Sequence, residues 1–310
     1  MAVSSEQRKV RLGTRSSPLA RWQAEWVAAR LTALGVAVEM IHITTQGDVK
    51  TGPLGQIGGQ GLFTKEIQRA LLDDQIDLAV HSLKDLPTAD VPGLAIAAVP
   101  ARESIHDVLV GPFRALDELP QGARIGTGSL RRRAQLLFQR PDLQLLEIRG
   151  NVDTRLRKLD SGEYDAIVLA QAGLSRLGLA ERITYVIPPA IMLPAVGQGA
   201  LGLETRDDDD VTRQLLQPLN DSPTNESVTA ERTLLQTLRA GCLAPVGAWG
   251  RMVHGSLHLE AVVLNPDGTD RLVVERTGEI GTAVNLGKDA AEQLLSEGAA
   301  QLIAAARTRG

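Results

Sequence analysis

At 310 residues the chain has room for two or three domains, and at 43% hydrophobic it can fill their cores. A net charge of −4 and an aromatic content of 3% argue against a module that holds nucleic acid or an anionic membrane through a global basic field or base stacking. The single cysteine excludes an intrachain disulfide and a CxxC metal knuckle. No run approaches the roughly 18 apolar residues of a membrane span, and MAVSSEQRKVRLGT carries no apolar signal core. These features predict a globular protein of a reducing compartment, the cytoplasm.

The first hundred residues alternate strand and helix patterns. VRLGT (10–14) reads as a strand, followed by a helix with Ser17 as N-cap and Pro18 at its first position. That helix runs to about Leu34 and stops at Gly35. VEMIHITT (38–45) is a second strand, the glycine-rich stretch 47–61 a mobile loop, and LFTKEIQRALLD (62–73) an amphipathic helix. IDLAVHSL (76–83) is apolar enough for a buried parallel strand, with Lys84 and Asp85 at its carboxyl end, and LAIAAV (94–99) is another strand. ARES (101–104) reads as a crossover into a second α/β unit.

In that unit ARIGTGS (123–129), LQLLEIRG (143–150) and the start of YDAIVLAQAGLSRLG (164–178) are strands, each leading into a helix. AVGQGALGLETR (195–206) is a return segment, and DDDD (207–210) a solvated loop or helix start. No sequence repeat is evident. After about residue 220 the pattern changes to a helix near 225–239, three strand-like stretches with a turn at NPDG (265–268), and a closing helix over about 285–306. This predicts an antiparallel α+β domain. Cys242 follows the first of these helices, with Gly241 expected as its C′ cap.

In open α/β sheets, ligands bind beyond the carboxyl ends of the strands. Basic and capping residues recur there: Arg15 and Ser17, Lys84, Thr127, Ser129, Arg131, Arg132 and Arg133, Arg149 and Arg155, and Arg176. Several of these turns open helices, whose free N–H groups favour an anion, and arginine adds a planar fork for carboxylate or phosphate. The expected ligand is a polyanion. Asp85 is the one acid on this edge; it is either a turn cap or a carboxylate facing positive charge that develops in a reaction.

Other motifs carry less. GQGALG (197–202) does not open an amphipathic helix, so it is not a dinucleotide fingerprint, and GQIGGQGLFTK lacks the G-K-[ST] of a P-loop. His254 and His258 lie in a strand-like stretch without companion ligands, so no metal site is expected. Trp22 and Trp26 share a helix face and read as core.

GTRSSPLA (13–20), GLFTKE (61–66), HSLKDLPT (81–88), GTGSLRRRAQL (126–136), IRGNVDTRL (148–156), GEYDAIVLAQAGLSRLGL (162–179), LPAVGQGALG (193–202) and AGCLAPVG (240–247) occur in this order. Together they give a chain that resembles the porphobilinogen deaminase (hydroxymethylbilane synthase) family over nearly its whole length. The resemblance implies two α/β domains of the type II periplasmic-binding-protein kind, 1–103 with 200–218 and 104–199, and a smaller C-terminal α+β domain with an antiparallel sheet, 219–310. It implies an enzyme that joins four porphobilinogen molecules head to tail on a dipyrromethane cofactor and releases ammonia at each step.

By the same resemblance Cys242 carries the cofactor through a thioether and Asp85 is the catalytic carboxylate. Ser82, Lys84, Asp85, Thr127, Ser129, Arg131, Arg132 and Arg155 contact the cofactor, and Arg15, Ser17, Gln23, Phe63, Arg149, Arg176 and Gln198 the substrate. The implied protein is a monomer without metal, nucleic-acid or membrane partners. The chain has Gln60 where the family often has lysine. The rival reading from residues alone is a non-catalytic binding protein for a small polycarboxylate.

Overall fold

The structure is a computed structural model and describes residues 9–45, 64–241 and 244–307. The described residues fall into two compact units, Met1–Ala101 with Ala200–Asn225, and Arg102–Gly199 with Glu226–Gly310.

In the first unit β1 (Lys9–Thr14) leads into α1 (Pro18–Ala33). Ser17 caps this helix, its hydroxyl accepting from the Ala20 N–H, with Pro18 in the first turn. The helix ends in a Schellman motif: Gly35, at φ +82°, donates to Thr32 O, and Val36 donates to Leu31 O. Then follow β2 (Ala37–His42), α2 (Lys65–Leu72), β3 (Leu78–Ser82) and β4 (Leu94–Ala98). The expected loop at 47–61, with Gln60, lies outside the described residues, as does the start of the helix expected from 62.

In the second unit β5 (Asp107–Val110) precedes β6 (Arg124–Gly126), α3 (Leu130–Gln139), β7 (Gln144–Leu146), α4 (Val152–Asp160), β8 (Ala166–Ala170), α5 (Gln171–Arg176) and β9 (Tyr185–Ile187). The chain then returns to the first unit as β10 (Leu201–Arg206) and α6 (Asp210–Leu216). The acidic run supplies a helix start: Asp209 accepts from the Thr212 N–H at 3.1 Å.

The two sheets share one topology. The first has the order β2-β1-β3-β10-β4 and the second β7-β6-β8-β5-β9. In each, three parallel strands are followed by one antiparallel strand, β10 or β5, and then the last strand. This repeat is absent from the sequence because it resides in strand order and not in residue identity. Strands β5 and β9 were not anticipated: four and three residues are too few to set up a visible period.

Helix α7 (Ser222–Thr237) precedes the antiparallel sheet β11 (Val246–Val253), β12 (Ser256–Leu264) and β13 (Arg271–Gly278). Alternation along β12 sends Leu257, Leu259, Ala261 and Val263 into the core with α7, α8 (Ala283–Ser296) and α9 (Ala299–Arg307), while Val262 and Leu264 join Ala134 of α3. The single closing helix expected over 285–306 is two helices, because Gly298 takes φ +103° between them. His254 and Gly255 both have positive φ and form the two-residue turn of the β11–β12 hairpin, which gives His254 a backbone role.

Glu231 of α7 is fully buried and ties several of these pieces together. Its carboxylate accepts from Arg102 Nη1 at 2.6 Å and Nη2 at 3.1 Å, from Gly197 N at 2.7 Å and from Gly250 N at 2.8 Å. A buried carboxylate with four donors has its lone pairs met. Both crossover segments of the second unit are thereby pinned to α7 and β11.

Candidate active site

In the first unit the carboxyl ends of β1 and β3 lie on one edge, since both strands run parallel. Arg15, half-buried, and Ser17 sit in the turn after β1. Gln23, buried on α1, donates from Nε2 to the Ser82 hydroxyl at the end of β3, 2.7 Å away. One helical turn beyond Ser82 is Leu83–Asp85. Leu83 and Leu86 are buried and flank half-buried Lys84 and exposed Asp85. The Leu83 N–H donates to Ala200 O at 3.0 Å, and a side chain at Gly202 would come within 2.9 Å of Leu83 Cδ1. Two apolar anchors and a glycine in the facing strand thus hold the Asp85 carboxylate outward. Beneath Ser82, His81 Nε2 lies 3.0 Å from buried Glu204, which also accepts from Gln68 at 2.9 Å.

In the second unit β6, β7 and β8 are parallel, and their carboxyl ends carry the expected residues on one edge. Thr127 and Ser129 form the turn into α3, Thr127 Oγ1 accepting from the Ser129 N–H at 3.3 Å. Arg149 is bonded to Glu147 at 2.7 Å, and Arg155 Nε donates to Gly150 O at 2.8 Å. Arg176 Nη2 donates to Gly199 O at 2.7 Å, and burial pushes its guanidinium below its ordinary value. Arg133 reaches Leu145 O at 2.8 Å.

Arg131, Arg132 and Gln198 are buried, and what sets them apart is that all three meet one residue that sequence reasoning missed, Asp107. Arg131 Nη1 stands 2.7 Å from Asp107 Oδ2, while Arg132 Nε and Nη2 donate to Oδ1 at 3.0 and 2.8 Å. Gln198 Nε2 also donates to Oδ1, at 3.0 Å. Burial alone would raise the Asp107 carboxyl; the two guanidinia outweigh it and hold the group well below the usual carboxylate range. In this cluster Arg131 Nε, Gln198 Oε1 and Asp107 Oδ2 are buried without a hydrogen-bond partner, Oδ2 being held by its ion pair with Arg131 Nη1. The only signal for Asp107 in the sequence is a charge at the head of the apolar tripeptide Val108–Val110.

Cys242 and Phe63 lie outside the described residues. The helix before Cys242 ends differently from the expectation that placed Gly241 at C′. Arg239 takes φ +50° and donates to Gln236 O, and Ala240 donates to Leu235 O, so Arg239 is the C′ residue of a Schellman motif. Ala240 and Leu235 are both buried in one core cluster, and that apolar pairing selects the earlier stop. Among the described residues no cluster of acid, histidine and cysteine side chains is placed to hold a metal ion, and no helix is long and apolar enough to cross a membrane.

A carboxylate-bearing pyrrole cofactor suits the donor set on the edge of the second unit: a buried pair of cations shares a single anion, and one guanidinium N–H of that pair is unmet. Residues 10–214 match the family model described as porphobilinogen deaminase, dipyromethane cofactor binding domain, and residues 225–296 match the C-terminal domain model of the same family. A porphobilinogen deaminase of Desulforudis audaxviator is 51% identical over 305 residues, covering 97% of this chain and 99% of that one. One from Syntrophotalea carbinolica is 48% identical over 300 residues, covering 96% and 95%. Among solved structures, a methionine-binding protein, MetQ, superposes with a TM-score of 0.45 at 15% identity, covering 72% of this chain and 94% of that one. On its matches to both family models and its near full-length identity to these relatives, the chain belongs to the porphobilinogen deaminase family.

Proposed function

We infer that the chain is a transferase of tetrapyrrole biosynthesis. It condenses four porphobilinogen molecules head to tail on a covalently held dipyrromethane cofactor, with one ammonia released at each addition, and frees the linear hydroxymethylbilane. The observation that carries this reading is the match of residues 10–214 to the cofactor-binding model, since that span contains both cationic edges and the outward Asp85. When bound, the dipyrromethane supplies the pyrrole carbon to which the first substrate is joined.

The roles of the side chains follow from charge and placement. Cys242 Sγ is the anchor through a thioether. Each pyrrole ring brings two carboxylates, so Ser82, Lys84, Thr127, Ser129 and Arg155 hold cofactor carboxylates by hydrogen bonds and charge. Arg131 and Arg132 supply buried positive charge beneath the Thr127–Ser129 turn. Arg15, Ser17, Gln23, Phe63, Arg149, Arg176 and Gln198 are assigned to the substrate. Loss of ammonia leaves positive charge on the substrate ring; a preorganised carboxylate at Asp85 stabilises it as it forms and can hold the proton of the pyrrole nitrogen. The proposed domain division is 1–103 with 200–218, 104–199, and 219–310, supported by separate cores under the three sheets. We assign the protein to the cytoplasm as a monomer without nucleic-acid partners.

The intact mass of the denatured protein tests the reading. The expected mass exceeds that of the sequence by one two-pyrrole adduct, rises by single pyrrole units after porphobilinogen is added, and loses the adduct in Cys242→Ser. An adduct that survives in denatured Cys242→Ser would defeat the anchor. A bare mass that neither porphobilinogen nor supplied cofactor changes, with no ammonia released, would leave a polycarboxylate-binding protein as the better reading.

A further inference from the structure

Neighbouring residues on a helix point about 100° apart, so adjacent arginines ordinarily diverge. Arg131 and Arg132, in the first turn of α3, converge instead on the two oxygens of Asp107. All three are buried: Asp107 at 0%, Arg131 at 3% and Arg132 at 6% exposure. Asp107 is itself fixed, pairing in the sheet with Ala170, the last residue of β8, and with Ile187. Gln198 bridges it to Ile105 O at 2.7 Å. The remaining arginine contacts are to carbonyls, Leu193 O for Arg131 at 2.6 Å and Val168 O for Arg132 at 2.9 Å.

Two cations against one anion leave one positive charge uncompensated within this cluster. Burying charge is costly, and neutral packing commonly serves a core as well or better, so fold stability gives no reason for such a triad. Burial indeed depresses the Arg131 guanidinium despite Asp107. The cluster lies at the carboxyl edge, under the Thr127–Ser129 turn and the N-terminus of α3, where low-dielectric surroundings strengthen its attraction for an anion.

We propose that Asp107 is a positioning residue for cofactor capture: it draws Arg131 and Arg132 onto one carboxylate and sets their joint charge at a single positive unit, matched to one pyrrole carboxylate. The proposal rests on the reading above of the two arginines as cofactor-binding. Without Asp107 the two cations would repel each other and leave this geometry; with it they keep a fixed charge where the anion arrives.

The test compares Asp107→Asn, the double variant Arg131→Gln/Arg132→Gln, and the triple variant that combines them. Each is made in cells unable to synthesise porphobilinogen and checked for folding by circular dichroism and melting midpoint. Porphobilinogen is then added, and the two-pyrrole adduct is followed by mass. Folded Asp107→Asn should load roughly ten- to a hundred-fold more slowly than the parent, and the double variant at least as slowly. The triple variant should load no more slowly than the double, because Asp107 acts only through the arginines.

Parent-rate loading by folded Asp107→Asn, or a further ten-fold loss in the triple variant relative to the double, would overturn the positioning role. Parent-rate loading by the double variant would instead overturn the reading of the arginines as cofactor-binding. Should Asp107→Asn not fold, the comparison of double and triple variants decides alone: neither buries an unbalanced arginine pair, and the triple also removes the buried carboxylate that the double leaves without a cation.

Discussion

Two aspartates of this protein occupy opposite environments. Asp107 is wholly buried and surrounded by donors, whereas Asp85 is exposed on a turn that buried Leu83 and Leu86 hold in place. Exchange of an exposed carboxylate for its amide leaves those anchors intact, so Asp85→Asn should melt within a degree or two of the parent and keep its adduct. Its turnover, followed by ammonia release, should fall by about a hundred-fold or more, the usual cost of removing a group that faces developing charge. Near-parent turnover would sink the catalytic role. The placement of Asp85 at the carboxyl end of a strand was legible in the sequence because Lys84-Asp85 closes an apolar run. Asp107 was not, because its partners lie 24, 25 and 91 residues away and only the folded sheet collects them.

At the scale of elements, local chemistry was readable where one or two residues decide the outcome. Ser17-Pro18 opens α1 and Gly35 closes it, as their types require. The end of α7 was misread because an arginine occupies the left-handed position that glycine normally fills, and what selects it is the burial of Ala240 against Leu235. The crossovers were visible as breaks in pattern at ARES and AVGQGA, but not the device that fixes them. Gly199 has φ +85°, and a Cβ there would meet Glu103 O at 2.4 Å and Ser104 O at 2.7 Å, both backbone atoms that cannot swing away. Gly199→Ala should therefore cost about 2–4 kcal/mol, through backbone strain together with overpacking. A denaturant midpoint equal to that of the parent would mean that the two segments separate without cost. Each glycine of GQGALG has its own structural reason: Gly197 has φ +72°, Gly199 meets the Glu103 and Ser104 carbonyls, and Gly202 faces Leu83.

For the whole molecule, net charge and local charge pull in opposite directions. The chain carries 37 acidic and 33 basic Lys or Arg residues, yet its parallel-strand edges are lined with arginine. Composition correctly disfavoured a global basic field, and only strand order turned scattered arginines into two edges. Porphobilinogen, with two carboxylates and one ammonium, is a net anion at neutral pH. If the overall field governed its binding, added salt would screen repulsion from the acidic protein and KM would fall. If the arginine edges govern it, salt screens attraction and KM rises. Those edges are partly buried, so the effect should be moderate: about a two- to five-fold rise in KM between low salt and 0.5 M sodium chloride, with kcat changed far less. Initial rates over that range decide the sign. A falling KM would mean that the arginines serve the fold and that substrate carboxylates are recognised by neutral donors such as Ser17, Thr127 and Ser129.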